Sequence, residues 1–271
     1  MQVSKSGFYY WKSKPASQRS KQNNKLLFYV LQAHKKSRRT YGSPRIYREL
    51  KASGIKVSLN KVATLMQQNG IYAHASHRHK KTKLARNTHG FTANILDRHF
   101  IAHKPNEKWV SDTTFIPTRQ GWLYLATIID LYSRKVIGWS MANNNNTDLV
   151  TSALLMAVKN KPKNHKVLLH SDQGSTYRAD NYLSLFRANN IQQSMSAKGN
   201  CHDNAVAESF FKTLKTELVN EQSYQSRADA RQSIFEYIEV FYNRIRRHST
   251  LNYQSPESFE KTFYNTNPSP V

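Results

Sequence analysis

The chain of 271 residues contains a single cysteine, Cys201. That excludes an intrachain disulfide and any multi-cysteine zinc site. No apolar run approaches the roughly 20 residues a membrane helix needs. The opening MQVSKSGFYYWKSK lacks the apolar stretch of a secretory signal. Acidic residues are also scarce, 17 against 41 Lys and Arg, for a net charge of +24. The shortage is uneven: residues 1–108 hold 23 basic side chains but only Glu49, Asp97 and Glu107 to offset them. So lopsided a distribution implies a polyanionic partner, nucleic acid. The expected location is therefore cytoplasmic and nucleoid-associated.

What is present reads first as helices. In SKQNNKLLFYVLQAHKKSRR, Leu27, Val30, Leu31 and His34 recur at helical spacing. Ser43 is expected to cap a helix with Pro44 at its first position, and Gly54 to end it. Ser58 caps a further helix over about 59–69, carrying Val62, Leu65 and Met66 on one face, which Gly70 closes. Two short helices around a tight glycine turn have a helix-turn-helix shape, whose second helix would enter the major groove. Residues 1–72 are thus a small all-helical, DNA-binding region, with Arg45, Arg48 and Lys61 as expected DNA contacts. Residues 73–103 are expected to form a basic linker along phosphates. Its His74, His77 and His79 lack Cys or acidic neighbours to complete a metal site.

Residues 104–265 change texture. KWVSDTTFIP is an expected strand ended by Pro117, and GWLYLATIID a strand buried on both faces. Asp130 to Ser133 suit a hairpin turn into KVIGWSM. A helix capped near Thr147, the strand HKVLLHSD, a helix near 178–189, the strand IQQSM and a helix from Asp203 to about Asn220 follow. RQSIFEYIEVFYNRIRRH adds a further amphipathic helix. The pattern is an α/β domain on a mixed sheet.

In so basic a chain the carboxylates are informative. Asp112 falls mid-strand, where aspartate is disfavoured. Asp172 follows directly on KVLLH, at the strand end where sites of α/β sheets collect. A carboxylate in a buried sheet costs several kcal/mol unless a cation offsets it. A third ligand comes from Asp203, Glu208 or Glu217. Asp203 reads as a helix N-cap. At about 100° per residue, Glu208 shares a face with Lys212 and Lys215, opposite Phe210, Phe211 and Leu214, and Glu217 points away from it. Glu208 is the choice. Three carboxylates beside phosphate suggest two divalent cations about 3.5–4 Å apart, with hard Mg²⁺ the expected ion and Mn²⁺ a substitute.

Thirty-five residues separate Asp172 from Glu208, within the words WVSDTTF, HSDQGSTY and GNCHDNAVAESFFKTLKTE. Spacing and words closely resemble the DDE transposases and retroviral integrases, and in particular the second-reading-frame product of bacterial insertion sequences. YGSPRIYREL is similar to the upstream helix-turn-helix-like region of those transposases, and YNRIRRHSTLNYQSPESF to their tail. The resemblance, over nearly the whole chain, implies an RNase H-like catalytic domain that nicks element ends and transfers the freed 3′-OH to another phosphodiester. It implies that Asp112 bridges both metals while Asp172 and Glu208 hold one each. Lys215, with Lys212, is implied to contact DNA near the cut, and His170, His202 and Asn204 match motif positions that suit a structural part. By the same analogy the chain works as a homo-multimer on element-end and target DNA. Beginning with Met and lacking heptads, it is expected to be the catalytic partner of an upstream reading-frame product.

Two rival readings remain. RIRRHSTLNY (Arg244 to Tyr253) supplies the residue types of a tyrosine recombinase, and a non-catalytic regulator would leave the carboxylates structural. Whichever holds, the basic first half predicts DNA binding that weakens steeply between roughly 50 and 200 mM salt as counterions are released. A binding isotherm with a flat salt response would remove phosphate contacts from the argument.

Overall fold

The computed structural model describes residues 4–13, 17–73, 93–162, 165–196 and 201–267. The chain divides into two compact units, Met1–Ala75 and Ser76–Val271. Among the described residues, no helix is long and apolar enough to cross a membrane.

The first unit is helical: α1 (Lys5–Ser13), α2 (Gln18–Lys36), α3 (Ser43–Ala52) and α4 (Leu59–Gln68). Val30 and Ala33 of α2, Ile46 and Leu50 of α3, and Val62, Leu65 and Met66 of α4 form its core. Leu31, expected on the apolar face of α2, is instead 47% exposed. The Ser58 hydroxyl accepts the Lys61 N–H at 3.3 Å and so caps α4. Ser43 does not cap α3. Gly42 is the cap, and Ser43 and Pro44 occupy the first turn, where the nitrogen of proline has no intrahelical acceptor to lose. Gly54 and Gly70 adopt φ of +77° and +62°, the left-handed turns that end α3 and α4.

The second unit is built on a five-stranded sheet in the order β3-β2-β1-β4-β5. Its strands are β1 (Lys108–Thr118), β2 (Gly121–Asp130), β3 (Val136–Ala142), β4 (Val167–Ser171) and β5 (Ile191–Met195). β1, β2 and β3 are antiparallel neighbours, while β4 and β5 run parallel to β1. α5 (Thr147–Lys159) and α6 (Asp180–Ala188) cover one face, where Trp109, Ala126, Ile128 and Leu169 meet Ala153, Leu154, Tyr182 and Phe186. Because side chains alternate along a strand, Val110, Ile116, Leu123 and Leu125 are buried on the other face. There α7 (Ala205–Glu217) and α8 (Arg227–Phe235) pack on β1 and β2. α9 (Pro256–Thr266) follows.

Several local expectations change. β1 continues through Pro117 because β4 pairs only with Lys108 to Val110, so the proline nitrogen can face an open edge. The cap expected near Thr147 is Asn146, its side chain accepting the Leu149 N–H at 3.1 Å. α8 does not run on as one α-helix but widens into a π-helical stretch, Glu236–Tyr242. The expected linker lies mostly outside the described residues, as do His74, His77 and His79. Residues 93–103, its last part, are held by the sheet unit: Leu96 is buried, and the Ile95 and Leu96 N–H groups donate to Ser194 Oγ at 2.9 and 3.0 Å.

Gly138 on β3 permits α5 to lie close. A Cβ there would collide with the Ala153 carbonyl oxygen and stand 2.8 Å from Ala157 Cβ and 2.9 Å from its nitrogen. Gly138→Ala should therefore destabilise the protein by about 1–3 kcal/mol, the usual cost of overpacking, as a fall in the urea midpoint with unchanged slope.

Candidate active site

The sheet register sets the first two carboxylates. β1 and β4 pair in parallel as Lys108↔Leu168, Trp109↔Leu169 and Val110↔His170. Carried two residues further, this register brings Asp112 level with Asp172, just past the end of β4. The third carboxylate depends on how α7 begins. Asn204 makes no side-chain cap to its own helix. Its Nδ2 instead donates to the Ser111 carbonyl oxygen at 3.0 Å, tying the start of α7 to the residue beside Asp112. Glu208 follows in the first turn of α7 and is exposed.

The charges of Asp172 and Glu208 both act on Asp112. The Asp112 carboxyl is pushed from 3.8 up to about 7. Burial is the main cause; the charges of Asp172 and Glu208 add to it, and the Thr113 N–H and Lys215 pull it down. Asp112 Oδ1 accepts only that neighbouring N–H, at 2.8 Å, and Asp172 Oδ1 accepts the Gly174 N–H at 3.0 Å. Each aspartate thus presents a second oxygen with no hydrogen-bond donor among the described residues. Even so, among the described residues no three His, Cys, Asp or Glu side chains are gathered tightly enough to hold an ion as they stand.

Lys215 lies with this group: its ammonium is 4.9 Å from the centre of the Phe115 ring, and its charge acts on Asp112. Lys212 is exposed on α7. Arg45, Arg48 and Lys61 belong to the first unit. There the Arg45 and Arg48 guanidinium groups lie 5.4 Å and 5.8 Å from the ring centres of Tyr41 and Tyr47, and Lys61 stands in the first turn of α4.

The remaining acids have other partners. Asp203 is not the cap of α7. It sits in a 3₁₀ turn and accepts from Asn94 Nδ2 at 3.0 Å and Arg98 Nε at 2.8 Å, holding residues 93–103 in place. Glu217 accepts a fork from Arg246 at 2.7 and 2.8 Å and the Tyr237 hydroxyl at 2.7 Å. Arg246, 5% exposed, holds that carboxylate and also reaches His248 Nε2 at 3.2 Å. His170 is buried between Ser194 Oγ at 2.8 Å and Ser196 Oγ at 3.0 Å, and burial lowers its pKa to about 4. It is a neutral strut between β4 and β5.

Models of the integrase core domain match residues 102–201 and 189–256, and a model of an HTH-like domain matches residues 21–81. Transposase InsF for insertion sequence IS3A of Escherichia coli K12 is 39% identical over 264 residues, 96% of this chain and 91% of that protein. The transposase for insertion sequence element IS904 of Lactococcus lactis subsp. lactis IL1403 is 42% identical over 221 residues, 82% of this chain and 87% of its own length. This chain belongs to the insertion-sequence transposases. A chain of the simian T-cell lymphotropic virus intasome, solved with a PP2A regulatory subunit, superposes with a TM-score of 0.50 at 13% identity, covering 89% of the transposase and 77% of the viral chain. The transposase has an RNase H-like integrase core preceded in sequence by a helical, helix-turn-helix-like unit.

Sequence reasoning overlooked Asn94, Arg98 and the Asn204 tether to β1, whose partners lie about a hundred residues away. It also overlooked Phe115, though a large aromatic in register with exposed positions of β1 was a usable signal.

The Asp112 shift has a consequence for the metal-free transposase. Between about pH 4 and pH 7 the folded chain keeps a proton that the unfolded chain has released, so stability from this group falls as pH rises through that window. Asp112→Asn should gain on wild type by about 1–3 kcal/mol between pH 5 and pH 8. Urea melts in EDTA measure this, and a pH-independent difference would contradict the assigned shift.

Proposed function

We propose that this transposase binds the ends of its insertion sequence and cuts and rejoins phosphodiesters there, with Asp112, Asp172 and Glu208 as the catalytic carboxylates. The observation that carries the reading is the shared environment of the three. A half-buried Asp112 feels the charges of Asp172 and Glu208, in a chain whose net charge of +24 attracts DNA. Three carboxylates are a hard, all-oxygen donor set suited to Mg²⁺, with Mn²⁺ as a substitute and substrate phosphate completing the shell. Asp112, Asp172 and Glu208 would together hold the ions. Bound in this way, the ions would supply activation of the attacking oxygen and neutralisation of the leaving one.

The chain's own groups do the rest. Asp112, held by the central strand, and Asp172, held by the adjoining strand end, fix two donors on rigid backbone, and Asn204 fixes the helix that carries the third. Lys212 and Lys215 would neutralise phosphates beside the cut. Arg45, Arg48 and Lys61, with α4, would contact the element end. Residues 1–72 and 104–265 would thus divide recognition from chemistry, joined by the basic segment 73–103. Pairing two DNA ends calls for more than one copy, and an upstream reading-frame product would add end specificity.

A strand-nicking and joining assay on labelled element ends tests the reading. Cleavage should occur in Mg²⁺ and stop in EDTA and in Asp172→Ala. Glu208→Gln should bind DNA within about twofold of wild type yet lose cleavage by about 10²-fold or more. Full cleavage by Glu208→Gln, or Mg²⁺-independent nicking by the purified wild type, would refute the assignment.

A further inference from the structure

Phe115 and Trp122 form an aromatic pair at the β1–β2 hairpin, with ring centres 4.8 Å apart in an edge-to-face arrangement. Both remain about half exposed, at 50% and 49%. The pair lies diagonally across the ladder, since Phe115 pairs with Tyr124 and Trp122 with Pro117. Its rim is cationic. Lys215 reaches the Phe115 ring, Arg119 is exposed at the turn, and Arg227 donates from Nε to the Trp122 carbonyl oxygen at 3.1 Å. Lys215 also acts on Asp112, so one lysine side chain joins the aromatic surface to the carboxylates. Along β1, Phe115 is three residues from Asp112, about 10 Å at strand rise; the odd spacing turns the two side chains to opposite faces of the strand, so Lys215 is the link between them.

An exposed aromatic surface rimmed by cations is suited to a nucleobase flanked by phosphates, because every base offers a flat face to stack. In a duplex that face is already stacked on its neighbours, so a base that lies on the protein must first leave the helix. We propose that Phe115 and Trp122 are a stacking platform for an unpaired base next to the scissile phosphate, and that the transposase therefore works on locally opened DNA ends. The inference rests on the DNA-cutting function proposed above and adds to it the conformation of the substrate. The cationic rim favours this occupant over the apolar face of another protein.

The test titrates the full chain in EDTA with a short single-stranded oligonucleotide containing 2-aminopurine, and separately with a fully paired duplex followed by anisotropy. Wild type should quench the 2-aminopurine. Trp122→Ala and Phe115→Ala should each weaken single-strand binding about tenfold and reduce the quenching, while duplex affinity stays within about twofold. Trp122→Phe, which keeps a ring, should restore single-strand affinity. Alanine variants that bind and quench the oligonucleotide like wild type would overturn the platform. So would a change confined to self-association in sedimentation, which would assign the pair to a contact between copies. Should Trp122→Ala fail to fold, Phe115→Ala and Trp122→Phe decide the matter. Absence of duplex binding by the wild type is a separate result, one that would strike the proposed function itself.

Discussion

A carboxyl group set into the middle of a central β-strand is the constraint around which the sheet unit is organised. Asp112 pays for desolvation and feels two further negative charges, and its proton is held to about pH 7. Its one hydrogen bond, from the N–H of its neighbour Thr113, offsets this only in part. The parallel register of β1 and β4 brings Asp172 alongside, and the Asn204 bond to Ser111 brings the first turn of α7. Fold and site are thus the same set of contacts. The arrangement that gives the strand its place in the core also gathers the charge that opposes it.

The contrast with the other buried acids makes the point quantitative in hydrogen bonds. Asp130, also pushed up by burial, to about 6, accepts from the Asn106, Tyr132 and Ser133 N–H groups and from the Ser133 hydroxyl. It locks the turn between β2 and β3. Asp203 has Asn94 and Arg98; Glu217 has Arg246 and Tyr237. In each, donors from the chain do what water did before folding. Among the described residues, Asp112 and Asp172 each receive a single backbone donor, which leaves one oxygen of each without a hydrogen bond. The free energy withheld there is what a cation and a phosphate would return.

The place of Asp112 in mid-strand, and of Glu208 and Glu217 on different sides of α7, was legible in the sequence from strand pattern and helical geometry. The strand order follows from three hairpin-linked strands and two crossovers. Less legible was anything settled by a distant partner. Asp203 looked like a cap because Ser, Thr, Asn and Asp before a helix usually are; Arg98, 105 positions away, claims it instead. Pro117 looked like the end of β1 because sequence does not reveal that β4 leaves that edge open. The widening of α8 into a π-helical turn has no local signature in EYIEVFY, where the aromatic spacing fits either geometry.

His170 illustrates how such a site can be braced without disturbing its charge. It stands two residues before Asp172 in a strand whose end must be fixed if the two aspartates are to stay level. A protonated imidazole there would attract the carboxylates and compete with any cation for them. Burial keeps the ring neutral down to about pH 4, and its two nitrogens engage the hydroxyls of Ser194 and Ser196. The Ser194 hydroxyl in turn accepts the Ile95 and Leu96 N–H groups, so the same serine anchors the segment that leads into β1. The strand end is therefore held by neutral hydrogen bonds. Positive charge enters from α7 through Lys215, on a side chain long enough to yield to a substrate.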